Sequence, residues 1–312
     1  MKDLLRTQDL SRDDVELLLE TAAAFAKEPL RSKSALANKS VAIYMTKPST
    51  RTRLSSETAI AHLGGVPIFI RGDELQLGRG ETIADTAKII SGYCSALIIR
   101  TFAQSDVDEL GAHASIPVIN ALTDDDHPTQ LLADWLTIRE NFGKDIAGRK
   151  FVYLGDGNNM SHAWLIMGAI MGAHVVAATP SGKWAPDRKT VEIAKNIAAK
   201  SGGKVEVSHD PEAASKDASV LYTDVWMSMG DSESERDEKV LALSPFAVTE
   251  NLFSLAKKDS IFMHCLPAHR GEEVEASVID GPRSVIWREA YHRRTTIQSL
   301  LFHLTQGDLK GN

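Results

Sequence analysis

The sequence predicts an α/β protein built from two doubly wound parallel-sheet domains. Three observations carry this. Short β-branched or aromatic runs alternate with helical patterns along almost the whole chain, an order that implies parallel strands wrapped by helices on both faces. At roughly 100–200 residues per domain, the 312 residues suggest about two domains. Gly143-Lys144-Asp145 breaks the alternation near mid-chain, so the join falls at the helix ending around Asn141–Gly143.

In the first half, strands are expected at Val41–Thr46, Val66–Arg71, Ala96–Thr101 and Pro117–Ala121. Helices fall between and after them, near Arg53–Leu63, Ile83–Gly92, Val107–Ala114 and Thr129–Asn141. The second half repeats the scheme with strands at Phe151–Leu154, His174–Ala178, Val205–Ser208, Val220–Thr223, Ile261–His264 and Val285–Ile286. Its helices run near Ala163–Met171, Arg188–Lys200, Pro245–Ala256 and Arg293–Thr305. Asp231–Lys239, a polar run without hydrophobic period, reads as a mobile surface loop.

Composition excludes several classes. Hydrophobic residues are 43% and charged residues 25% of the chain, enough apolar material for a sizeable core. A net charge of −7 argues against a nucleic-acid partner, which needs a basic face. Two cysteines, Cys94 and Cys265, cannot build a disulfide framework or a cysteine-rich zinc site, and a reducing cytoplasmic setting is expected. The start, Met1–Leu10, has no apolar signal region, and the apolar stretch Ala163–Ala178 is shorter than the ~20 residues of a membrane span.

Ligands of open α/β sheets bind beyond the carboxyl ends of the strands, and the unusual residues of this chain gather there. Ser49-Thr50 opens a helix after Pro48, a good N-cap, and a helix N-terminus attracts anions. Arg51 and Arg53 would add guanidinium forks for a phosphate; the alternative is an ordinary capped helix with solvated arginines. Arg100 ends an apolar strand, either exposed or as a second phosphate contact. Asp124, Asp125 and Asp126 can cap the next helix, which leaves His127 and Gln130 to hold a carbonyl oxygen and an NH2 group. His127 has no second histidine at helical spacing, so no metal is expected. Gly155-x-Gly157 suggests a dinucleotide loop, but Met160 stands in the third glycine's place and no acid follows the next strand. Asn158 or Asn159 would instead present an amide there. Asp224 is a helix cap or a reactive acid. Cys265 is a buried thiol or a reactive one, and its neighbour His264 points to the opposite face of a strand.

Taken together, four motifs resemble the aspartate/ornithine carbamoyltransferase family. They are Ser49-Thr50-Arg51-Thr52-Arg53, His127-Pro128-Thr129-Gln130, Asp224-x-x-x-Ser228-Met229-Gly230 and His264-Cys265-Leu266-Pro267, and the last two are similar to its ornithine-using branch. The resemblance runs from about Ser49 to Arg293. It implies a carbamoyl phosphate-binding domain (1–142), an ornithine-binding domain (143–290) and a C-terminal helix (291–312) that returns to the first domain. It also implies transfer of the carbamoyl group to the side-chain amine of L-ornithine, giving L-citrulline and phosphate without metal or cofactor. By the same resemblance Ser49, Thr50, Arg51, Thr52, Gln76, Arg100, His127, Gln130, Cys265, Leu266 and Arg293 would bind carbamoyl phosphate. Asn159, Asp224, Ser228 and Met229 would bind ornithine, and Arg100, His127, Asp224 and Cys265 would be catalytic. A cytoplasmic homotrimer, or a multiple of trimers, is implied, with the Gln76 loop reaching a neighbouring subunit and with no nucleic-acid or membrane partner. The aspartate-using branch places a lysine in that loop, and Gln76–Glu81 has none. Putrescine or an acylated ornithine remains open as acceptor.

Overall fold

In a computed structural model that describes residues 1–75, 80–146, 148–227 and 232–312, nine strands form two wholly parallel sheets. The architecture is α/β, as the alternating pattern predicts. The chain divides into one unit of Met1–Leu136 with Tyr291–Asn312 and a second of Thr137–Ala290.

The first unit opens with helix α1 (Arg12–Lys27), which Ser11 and Asp14 start as a reciprocal capping box. There follow β1 (Ser40–Met45), α2 (Thr50–His62), β2 (Val66–Arg71), α3 (Ile83–Tyr93), β3 (Ala96–Arg100), α4 (Gln104–His113), β4 (Val118–Leu122) and α5 (Pro128–Phe142). The strand order is β2-β1-β3-β4. β1 and β3 are buried apolar runs, as strands covered on both faces must be. Strand order reverses between them, which places the segments after Met45 and after Arg100 at the switch point where such sheets bind ligands.

The second unit holds β5 (Lys150–Leu154), α6 (Asn159–Ile170), β6 (His174–Ala178), α7 (Arg188–Ser201), β7 (Lys204–Ser208), α8 (Pro211–Ser215) and β8 (Val220–Thr223). Then come α9 (Arg236–Leu243), α10 (Glu250–Ser254), β9 (Ile261–His264), α11 (Ala276–Ile279) and α12 (Ile286–Gln306). The order is β7-β6-β5-β8-β9, so the switch point lies between β5 and β8. Its core gathers Val152, Val176, Leu221 and Phe262 from the sheet with Phe246 and Val274. The last part of α12 belongs to the first unit, where Ser299 Oγ donates to Leu18 O (2.8 Å) and Phe302 meets Phe25 edge-on.

Four local expectations need correction. Val285–Ile286 is not a strand: residues 283–285 run beside Phe262 for a single bridge, and Ile286 begins α12. Pro245–Ala256 is not one helix, because Val248 bridges Val274 in extended conformation and Thr249 then caps a new helix, α10. The polar run Asp231–Lys239 is not all loop: Arg236 starts α9, and Lys239 is buried. Four of its charges are paired, Glu235 and Glu238 with Lys183, Arg236 with Glu272, and Lys239 with Asp156. Finally, α1 precedes the first expected element.

Candidate functional site

In the first unit, Ser49 caps α2, its Oγ accepting the Thr52 N–H at 3.3 Å. Thr50 and Arg51 thus form the first turn, where the helix offers free N–H groups. Thr52 is buried, and its Oγ1 accepts from Arg293 Nη2 (3.4 Å). The same guanidinium donates through Nη1 to Gln130 Oε1 (2.6 Å), and Gln130 Nε2 donates to Asp134 (2.8 Å). Arg100 is buried at the end of β3. His127 is buried too. Its burial, then the positive charges of Arg293, Arg100 and Arg51, hold its pKa well below the usual imidazole value, so the ring is neutral. Three guanidiniums acting on one neutral imidazole make a site of strong positive potential, which a dianion would stabilise.

The residues around this cluster fix its loops. Lys47 is buried, pairs with Asp124 and lies 4.3 Å from the Phe102 ring, so the segments after β1, β3 and β4 are joined. Asp126 accepts from the Thr7 N–H and hydroxyl and from the His127 N–H, while its burial pushes its pKa up to about 6. Arg53 stands apart. It pairs with Glu57 (3.0 Å) and stacks on Phe69 (3.8 Å), so the second arginine of the motif is not in the cluster.

In the second unit, the Asp224 carboxylate is buried beyond β8. It accepts from Cys265 Sγ (2.9 Å), from the Val225 N–H (2.8 Å) and from Asn158 Nδ2 (3.4 Å). All three donors are neutral, and no lysine or arginine among the described residues forms an ion pair with it. Asn158 Oδ1 caps α6 through the Met160 and Ser161 N–H groups and accepts from the Tyr153 hydroxyl (3.2 Å). Asn159 is the first residue of α6, so Asn158, not Asn159, is the amide bonded to Asp224. Asn158 carried a signal: a cap residue stands immediately before an apolar helical run.

Both glycines of Gly155-x-Gly157 are explained without a dinucleotide. Gly155 has φ +137°, and a Cβ on Gly157 would lie 2.2 Å from the Ala185 carbonyl carbon. His264 is turned away from Cys265: Nδ1 accepts the Leu266 N–H (2.8 Å), and Nε2 lies 3.3 Å from Glu273. Asp224, His264 and Cys265 have ligand atoms within 4.8 Å of one another, but both His264 nitrogens are already committed, and the group does not fit a metal ion. Leu266 adopts φ +61° ahead of Pro267. Gln76, Ser228 and Met229 lie outside the described residues.

These features define a class: a two-unit, doubly wound α/β protein with arginines around a buried neutral histidine at the carboxyl end of one sheet and a buried carboxylate–thiol pair at the carboxyl end of the other. The particular family follows from comparison. Residues 2–140 match the carbamoyl-P binding domain, and residues 147–304 the Asp/Orn binding domain, of aspartate/ornithine carbamoyltransferase. The chain belongs to the aspartate/ornithine carbamoyltransferase family. It is 48% identical over 308 residues to an ornithine carbamoyltransferase of Pyrococcus horikoshii, covering 98% of this chain and 96% of the relative. The structure of ornithine carbamoyltransferase from Pyrococcus furiosus matches with a TM-score of 0.92 at 47% identity, covering 99% of this chain and 98% of that one. An acetylornithine transcarbamylase complexed with acetylcitrulline matches at a TM-score of 0.87 but 28% identity, covering 97% and 99%.

Proposed function

We infer that this chain is an ornithine carbamoyltransferase, moving the carbamoyl group of carbamoyl phosphate to the side-chain amine of L-ornithine to give L-citrulline and phosphate. The observation that carries the reading is that each unit holds a site of its own, and the two sites suit opposite charges. Three arginines act on neutral His127 in the unit that matches a carbamoyl-P binding domain. Asp224, bonded only to neutral donors, lies in the unit that matches an Asp/Orn binding domain. A phosphate dianion suits the first and an ammonium the second. The higher identity to relatives named for ornithine than to one named for acetylornithine supports the free amino acid as acceptor.

The proposed roles follow. The first turn of α2 (Ser49, Thr50, Arg51, Thr52) holds the phosphate with Arg100 and Arg293, and His127 and Gln130 hold the carbamoyl group. The amine nitrogen of ornithine attacks the carbonyl carbon, forming a C–N bond and a tetrahedral oxyanion. Arg100, neutral His127 and Thr52 stabilise that charge as it develops. The C–O bond to phosphate then breaks, phosphate leaves with the electron pair, and the nitrogen gives its proton to the departing phosphate. Asp224 and Cys265 orient the amine. Asn159, Ser228 and Met229 hold the remainder of ornithine, while Leu266 and Gln76 complete the carbamoyl phosphate contacts, Gln76 from a neighbouring subunit.

A homotrimer fits the first unit, whose edge strand β2 exposes Val66 and Ile68 and whose helices α2 and α3 expose Leu54, Ile89 and Tyr93. A cytoplasmic location fits a Cys265 thiol that is in no disulfide and must stay reduced to donate to Asp224. Among the described residues no helix is long and apolar enough to cross a membrane. The test is citrulline formation from carbamoyl phosphate, with ornithine run in parallel with putrescine, N-acetylornithine and aspartate. Ornithine should exceed each alternative by at least about a hundredfold in kcat/KM, since a site shaped for one charge pattern leaves buried groups unpaired with another. Faster turnover of any alternative acceptor overturns the reading.

A further inference from the structure

Burying a carboxylate oxygen without a hydrogen bond is costly, so such atoms mark places where a partner belongs. Two of them lie in one turn of the second unit: among the described residues, Glu272 Oε2 and Glu273 Oε2 are buried and accept no hydrogen bond. Glu273 as a whole is 0% exposed. Both oxygens face one nitrogen, His269 Nδ1, at 4.0 and 3.8 Å, too far for a hydrogen bond. The donor atoms of the three side chains all lie within 4.8 Å of one another. The other oxygen of each acid is already held. Glu272 Oε1 accepts from Arg236 of α9 (3.0 Å), and Glu273 Oε1 accepts from the His269 N–H and from His264 Nε2 (3.3 Å). His264 Nδ1 accepts the Leu266 N–H, which leaves the ring proton on Nε2 to be donated to Glu273. The backbone fixes the turn as well. Glu272 N–H donates to His269 O (3.0 Å), Gly271 N–H donates to Val274 O (2.9 Å) with φ +89° at the glycine, and Glu273 O accepts the Val248 N–H (2.9 Å).

We propose that His269, Glu272 and Glu273 form a site for a divalent transition-metal ion such as Zn²⁺, held by one imidazole nitrogen and two carboxylate oxygens and completed by water. Ligands at about 2.0–2.2 Å from a tetrahedral ion stand about 3.4 Å apart. Nδ1, at 3.8 and 4.0 Å from the two oxygens, therefore needs to close by only about half an ångström. A nitrogen joined to two carboxylate oxygens suits such an ion better than Ca²⁺ or Mg²⁺, which take oxygen ligands. Arg236 and His264 grip the outer oxygens, the arrangement that orients carboxylates toward a metal. The half-exposed side chain of His269 gives the ion an entry path and room for water. Arg270, the neighbouring cation in sequence, is turned away to Asp280 (2.6 and 2.7 Å). The site is separate from the Asp224–Cys265 pair but tied to its loop, since Glu273 bonds His264, and His264 bonds the Leu266 N–H just after Cys265. The ion braces that segment and takes no part in the carbamoyl transfer, so the proposal holds whichever acceptor the enzyme uses.

The experiment is calorimetric titration of the untagged full-length protein, stripped with EDTA, with Zn²⁺ near neutral pH. Cys265→Ser serves as the background, because it removes the thiol of the neighbouring pair. That variant should bind one Zn²⁺ per chain with low-micromolar or tighter affinity, and its thermal midpoint should rise on binding. In the same background His269→Ala and Glu272→Gln should each weaken binding by at least about tenfold and abolish the rise in midpoint. Glu273→Gln should do the same; if it fails to fold, the two variants on the exposed side of the turn decide. Binding by the parent that is lost in Cys265→Ser would place the ion at the Asp224–Cys265 pair instead. Binding that survives all three turn substitutions would be an adventitious ion only. No binding at all would mean that a protonated His269 or a water answers the two oxygens. Each of these three results overturns the proposal.

Discussion

Arg51 and Asp224 bear opposite charges in different units, so replacing each should injure a different substrate. Arg51→Ala removes one of three guanidiniums acting on His127. Loss of one partner in such a charge-assisted contact costs about 2–5 kcal/mol, so carbamoyl phosphate binding and turnover should fall by well over tenfold while ornithine affinity holds. Asp224→Asn keeps the shape, and calorimetry should show carbamoyl phosphate binding nearly intact while ornithine kcat and affinity both drop. A collapse of phosphate binding in Asp224→Asn would show that the labour is divided otherwise. The adjacent pair Asp126 and His127 makes a second prediction, with opposing signs. Asp126 is pushed up from 3.8 to about 6, so the folded state holds its proton more tightly, and stability falls as pH rises from about 4 to 6. At roughly 1.4 kcal/mol per unit, that effect is about 3 kcal/mol at most. His127 is held below 6.5, so its contribution is present above that value and is lost as pH falls below it. In the parent protein the two slopes offset each other between pH 4 and 6. His127→Gln should unmask the Asp126 slope, and urea midpoints at pH 4.5 and 6 should show the variant losing more stability on the alkaline side than the parent does.

Elements whose signals are local were legible in the sequence, and those fixed by distant partners were not. β1, β3, β5 and β8 are apolar runs because helices cover both faces, and such runs declare themselves. Helix α1 also carries its own signal, Ser11 with Asp14 ahead of Val15, Leu18, Leu19 and Ala22, though it lies outside the alternating scheme that organises the reading. Helix α9 has no such signal: its first turn is nearly all charge, and partners elsewhere in the chain, Asp156, Lys183 and Glu272 among them, make those charges compatible with order. The candidate site divides the same way. The rule about carboxyl ends of strands reaches Arg51, Arg100 and His127, but the outward turn of Arg53 depends on Phe69 and Glu57. Arg293, on the last helix, came only from the family resemblance, because nothing near it in sequence marks a contact with Gln130. The β5–α6 loop gives the prediction at this scale. Gly157→Ala would place a methyl 2.2 Å from the Ala185 carbonyl carbon and 2.3 Å from Pro186 N, so backbone must move. A cost of about 3 kcal/mol or more is expected, with a raised KM for ornithine, because Asp156 and Asn158 flank it. Gly92→Ala, in α3 with open space around it, should instead be neutral or stabilising by about 0.5–1 kcal/mol. Chemical denaturation of both variants checks the contrast.

At the scale of the whole molecule, the exposed apolar residues of the first unit predict association. Sedimentation should give three times the 34.0 kDa chain mass, or a multiple of that trimer. Replacing Val66 and Ile68 on the β2 edge with glutamate should return the mass toward that of one chain, and an unchanged mass would place the interface elsewhere. The way the chain is threaded has a different outcome. Thr137–Ala290 is one continuous stretch, whereas the first unit is completed by Tyr291–Asn312 from the far end. A ribosome reads from the amino end, so the earlier unit must wait, with part of its apolar surface uncovered, while the later one emerges whole. Leu18, Phe25 and Thr52 meet Ser299, Phe302 and Arg293 only once the last helix is released. The second-made unit of this protein is therefore the one able to finish folding first, and the arginine cluster around His127, missing Arg293 until then, is completed only after it.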